Sequence, residues 1–113
     1  MSSRNLLKYT ILLGALALFG CKEKSIEQSS LELELAKSHA SKAWAEAYNP
    51  KGDKQKTIKE YEKALSYLDQ SDPLHRDQLF MTYREIRDFH TLAGNTEKIQ
   101  EMSQKLMNLS KLK

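Results

Sequence analysis

The chain has 113 residues, eighteen basic against fifteen acidic, and a single cysteine. That length holds one small domain and not two once a leader is set aside, and one cysteine excludes an intramolecular disulfide. Arg4 and Lys8 lie in the first twenty residues; without them sixteen basic face fifteen acidic side chains, a balance of +1 that alternates in sign and lacks the one-sided field nucleic-acid binding needs.

The first element is the stretch from Met1 to Cys21. Arg4 and Lys8 precede an apolar run from Tyr9 to Phe19, shorter than the roughly seventeen to twenty-five residues of a membrane-spanning helix. A positive start, a short apolar middle and the small Gly20 describe a secretory signal. Leu18, Gly20 and Cys21 resemble the lipobox of bacterial lipoproteins, with Phe19 departing from the small or β-branched residue usual there. The resemblance implies cleavage before Cys21, a diacylglyceryl group on its thiol and a mature protein held at the bacterial cell envelope. A thiol is the most nucleophilic side chain near neutral pH, and two or three acyl chains hold durably where one holds marginally. Lys22, where an aspartate would retain the protein, implies the outer membrane by the same resemblance. The alternatives are an ordinary signal peptide, or a retained segment with the domain facing the cytoplasm.

The expected organisation is a signal peptide over 1–20, a lipidated cysteine and polar tether over 21–30, and a helical domain over 31–113. A first helix runs from about Glu27 or Leu31 to Tyr48. Its strong helix formers place Leu33, Ala36, Ala40, Ala43, Trp44, Ala47 and Tyr48 three and four apart, the spacing of one apolar stripe. Asn49-Pro50-Lys51-Gly52-Asp53 stops it. A second helix, about Lys54 to Leu68, buries Ile58, Tyr61, Ala64, Leu65 and Leu68, and the short connection makes the two helices antiparallel neighbours. Ser71 or Asp72 caps a third helix with Pro73 in its first turn. It runs to about Leu92 with Leu79, Tyr83, Ile86, His90 and Ala93 on one face, and Gly94 suits the left-handed position beyond its end. Thr96 caps a fourth helix to about Ser110, carrying Ile99, Met102, Leu106 and Leu109. No segment alternates with period two, so the chain reads as all-α.

Long helix, glycine turn, shorter helix occurs twice, with Gly52 and Gly94 separated by 42 positions. Self-similarity of this kind points to antiparallel helix pairs stacked as repeats. Trp44, Ala45, Tyr48, Gly52-Asp53, Tyr61, Ala64-Leu65 and Leu68-Asp69 resemble the tetratricopeptide repeat, with Thr57 where that family prefers alanine. Ile86, His90, Gly94, Ile99 and Leu106 keep the spacing in a second unit, where Arg87 replaces a small contact residue and Ser103 an aromatic one. The resemblance covers about residues 38–110 and implies a concave groove lined by the first helix of each unit. That places His39, Lys42, Glu46 and Asn49 of the first unit, and Met81, Arg84, Asp88 and Thr91 of the second, against a protein or peptide partner. Two units are fewer than the three or so an independent stack needs, so two copies can also pair.

Catalytic and metal patterns are not evident. His39, His75 and His90 stand far apart, there is no HExxH and no cysteine pair, and neighbouring glutamates two apart on a helix diverge. A glycine-rich phosphate loop and a GxSxG-like turn are missing as well. The expectation is a non-enzymatic, cofactor-free adaptor tethered at the envelope, the alternative being a structural lipoprotein that self-associates.

Overall fold

The computed structural model describes residues 25–112, and the signal segment, Cys21 and Lys22 lie outside the described residues. The described chain is four helices: α1 (Ile26–Ala47), α2 (Lys54–Ser66), α3 (Arg76–Ala93) and α4 (Thr96–Ser110). They form two antiparallel hairpins, α1 on α2 and α3 on α4, and α3 also packs against α1 and α2. The backbone of α4 comes close to α3 alone.

Three helices begin on a side-chain cap, which satisfies N–H groups that the helix itself leaves open. Ser25 Oγ accepts from the Gln28 N–H at 3.0 Å, Asp53 from the Gln55 N–H at 2.8 Å, and Asn95 from the Lys98 N–H at 3.3 Å. Ser25 thus starts α1 at Ile26, inside the stretch expected as tether. Asn95 caps α4 in place of Thr96, which becomes its first residue. Asp72 is used one step earlier than expected: its Oδ1 accepts from the Leu74 N–H at 3.0 Å and its carbonyl from the His75 N–H at 2.9 Å. That turn takes up Pro73, so α3 begins at Arg76.

The core draws on every helix. Ala43, Tyr61, Ile86, Phe89 and Met102 form one buried cluster, with Ala47, Ile58, Leu65 and Tyr83 packed against it. The α1 stripe is made of alanines: Ala36, Ala40 and Ala43 are buried. Small side chains let α2 and α3 approach closely and leave room for the Tyr61 ring. Trp44 and Tyr48, expected in that stripe, are instead about half exposed, at 51% and 48%. Close approach of the neighbouring helices favours the alanines on the inward face, and the larger rings fall to one side, leaning on each other. Residues 48–53 join α1 to α2, whereas Gly94 and Asn95 alone join α3 to α4.

Each connection rests on its glycine. Gly94 takes φ 73°, ψ 25°, the left-handed conformation a Cβ disfavours. Gly52 is required by space, since a Cβ there would sit 2.0 Å from the Glu46 carbonyl oxygen.

The head of α3 is bound to the head of α1. His75 is fully buried, and its Nδ1 accepts from the Asp69 N–H at 3.1 Å. An accepting Nδ1 leaves the proton on Nε2, which donates to the Ser29 carbonyl at 2.9 Å. Ser29 Oγ in turn donates to Asp72 Oδ2 at 2.6 Å. Because α1 and α3 start at this common end, they run side by side in the same direction.

Candidate functional site

Parallel α1 and α3 leave a furrow between them of about 570 Å³, lined by Lys37, Ala40, Ser41, Trp44, Gln78, Met81 and Glu85. Ala40 keeps its floor low. Trp44 and Met81, about half exposed, form its apolar walls, and the Trp44 ring leans on Tyr48 at 4.9 Å and 42°. Gln78 is buried and donates to Thr82 Oγ1 at 3.1 Å, so its amide is fixed by its own helix.

Glu85 joins the furrow to the core. Its Oε1 accepts from the Tyr61 hydroxyl at 3.1 Å. Partial burial raises the Glu85 carboxyl above its usual range, with the Tyr61 hydrogen bond acting in the opposite sense. Burial, reinforced by the Glu85 charge, holds the Tyr61 phenol far above its ordinary value. This pair ties α2 to α3 and gives the furrow one polar, acidic rim.

The positions expected to share a groove are dispersed over the fold. His39 faces α2: its Nδ1 lies 2.7 Å from Glu60 Oε1, and its ring stacks on Tyr67 at 5.8 Å and 7°. Lys42 is exposed on the side of that pair. The hydrogen bond from His39 holds Glu60 below the usual carboxylate range, opposed by partial burial and assisted by the charges of Lys63 and Lys42. Glu46 and Asn49 serve the connection, accepting from the Asp53 and Lys51 N–H groups. Met81 alone of the eight lines the α1–α3 furrow. Arg84 lines a second furrow, between α3 and α4, with Phe80, Arg87, Ser103 and Met107, of about 530 Å³. Asp88 lies 3.5 Å from Arg87 Nη2, and Thr91 Oγ1 donates to the Arg87 carbonyl at 2.8 Å.

Sequence reasoning therefore missed Lys37, Ser41, Gln78 and Glu85 as furrow residues, and assigned Trp44 to the core. No local spacing signals them, since the furrow arises from packing α1 beside α3; the alanines Ala36, Ala40 and Ala43 mark only which face of α1 turns inward.

Of the remaining histidines, His90 lines a third hollow of about 300 Å³ with Tyr61, Phe89, Lys98 and Met102. His75 is enclosed as described, and burial, with help from Lys98, lowers the His90 imidazole below its ordinary value. Among the described residues, no three His, Cys, Asp or Glu are arranged to hold a metal, and no helix is long and apolar enough to cross a membrane. No family model, curated protein or solved structure matches the chain.

Proposed function

We propose that the chain is a membrane-anchored helical-repeat module, tethered at the bacterial cell envelope through a lipid on Cys21, that binds a protein or peptide partner in the α1–α3 furrow. The observation that carries the binding half is the half-exposed Trp44–Tyr48 pair opposite Met81. Indole and phenol rings offer large apolar area with little rotamer entropy to lose, which is why such residues dominate binding energy at interfaces. Two hairpins whose first helices run parallel also support a tetratricopeptide-like reading, in which partners lie along those helices. The tether is supported by Leu18-Phe19-Gly20-Cys21 in the sequence.

The test is photo-crosslinking in the native cell from a probe at Ser41, which lines the furrow. A discrete partner band is expected, and Trp44→Ala should weaken it about tenfold or more, in line with the loss of a central aromatic anchor. Crosslinks unchanged by Trp44→Ala and Met81→Ala would reject the furrow.

A second reading, self-association without a groove ligand, draws on the α3–α4 furrow. Phe80 and Met107 are exposed there, 37% and 54%, at the free end of the stack. Under it, Cys21→Ala protein sediments as a dimer or larger, and Phe80→Glu with Met107→Glu returns it to monomer. A monomer from the start counts against it.

A further inference from the structure

We propose that the outer face of the α1–α2 hairpin, built on Lys42, Lys56, Lys59 and Lys63, lies flat against an anionic bilayer surface. The inference takes its setting from the membrane tether proposed above and adds to it a docking orientation. Lys56, Lys59 and Lys63 are spaced i, i+3 and i+7, which aligns them along one stripe of α2, about 10 Å long at ~1.5 Å per residue. All three and Lys42 are exposed. None of the four makes an ion pair with a carboxylate among the described residues.

Lys42 belongs to the same face although it comes from another helix. His39 meets Glu60 across the α1–α2 seam at 2.7 Å; Lys42 stands one turn after His39 and Lys63 one turn after Glu60, so on antiparallel helices the two ammonium groups flank that contact. Glu60, held ionised beside His39, and Glu46, which accepts from the Asp53 N–H, bring negative charge to that side, and Glu62 is exposed beside Lys63. Four lysines against these three carboxylates leave the face with a small positive excess.

Three features select a lipid surface over a peptide or a nucleic acid. The lysines stand on the crests of two adjacent helices, so they present a spread of charge suited to a plane of phosphates. The apolar anchors that a peptide would use lie elsewhere, in the furrow of Trp44 and Met81. Leu31 precedes Lys42 by eleven positions, three helical turns, and so shares its face of α1; it is 56% exposed. It lies toward the end of α1 nearest Cys21, where an apolar side chain would meet the headgroup boundary first and the lysines would follow along the surface. Basic residues beside an acyl anchor are an established way of making weak attachment durable.

The experiment uses full-length Cys21→Ala protein, which carries no acyl group, floated with vesicles of phosphatidylcholine alone or phosphatidylcholine with phosphatidylglycerol. Binding should favour the anionic vesicles and weaken with salt. Lys42→Gln/Lys59→Gln/Lys63→Gln should lower the anionic-to-neutral ratio by roughly fivefold per charge, on the order of a hundredfold in all, with the helical circular dichroism unchanged. An unchanged ratio in the triple variant overturns the proposal, as does equal binding to both vesicles. So does a loss of duplex DNA binding in the triple variant while the vesicle ratio stays the same. The tether is read separately, from the membrane fraction of cells expressing native or Cys21→Ala chain. If that fraction does not change, the lipid anchor fails, and the vesicle ratio still decides the lysine face.

Discussion

His75 shows how much one polar side chain can fasten. Both of its ring nitrogens are used inside the protein, one accepting from the Asp69 N–H and one donating to the Ser29 carbonyl. His75→Ala removes both bonds and leaves a void where a fully buried ring stood. Two hydrogen bonds at about 1 kcal/mol each, together with the void, predict a loss of about 3 kcal/mol in urea-denaturation stability. His90 yields a pH prediction instead. Its folded-state imidazole is lowered from 6.5, chiefly by burial, so the unfolded chain takes up a proton first as the pH falls. The contribution is whole above pH 6.5 and is lost as the pH drops through the folded value. Glu60, lowered from 4.5, adds a second loss of the same sign below that pH. Stability measured from pH 7.5 to 5 should fall less steeply in His90→Gln than in the native chain.

At the level of single elements, the two connections respond differently to the same change. Gly52→Ala places a Cβ against the Glu46 carbonyl, and the clash is with backbone, so the 48–53 segment must move. Gly94→Ala meets no atom within 4 Å and suffers only the left-handed backbone penalty, about 1–2 kcal/mol. Thermal unfolding should show Gly52→Ala as the more damaging of the two. The existence and approximate limits of all four helices were legible, because Asn49-Pro50, Asp72-Pro73 and Gly94-Asn95 punctuate clean helical periods. The face of α1 was not. Ranking side chains by hydrophobicity put Trp44 and Tyr48 in the core, whereas close helix approach favoured the alanines beside them. The start of α1 at Ile26 lies one residue from Glu27, the earlier of the two expected starts, whereas the contact of Ser29 with a histidine 46 positions away was hidden. The basic face of α2 escaped notice because alternation of charge along a chain says little about charge around a helix.

Across the whole molecule, α3 is the member that holds the others together, touching α1, α2 and α4, while α4 has backbone contact with α3 only. Its main tie to the first hairpin is Met102, which enters the cluster of Ala43, Tyr61, Ile86 and Phe89. Local opening should therefore begin with α4. Native-state hydrogen exchange is expected to rank the amides of α4 below those of α3 in protection, and Met102→Ala, at about 2–4 kcal/mol, should lower α4 protection at least as much as global stability. Equal protection of the two helices in both proteins would refute that order. The groove could not be read from the sequence at this scale, since it is formed by two helices set parallel through a histidine–serine contact that no local spacing encodes.

The placement of the chain's one indole also makes the protein its own optical gauge. Half in water on the α1–α3 wall and in contact with Tyr48, it should emit toward the red in the free protein and shift blue when the furrow is covered. Contact with the lysine face alone would leave the colour unchanged, so the two docking events can be told apart without any label.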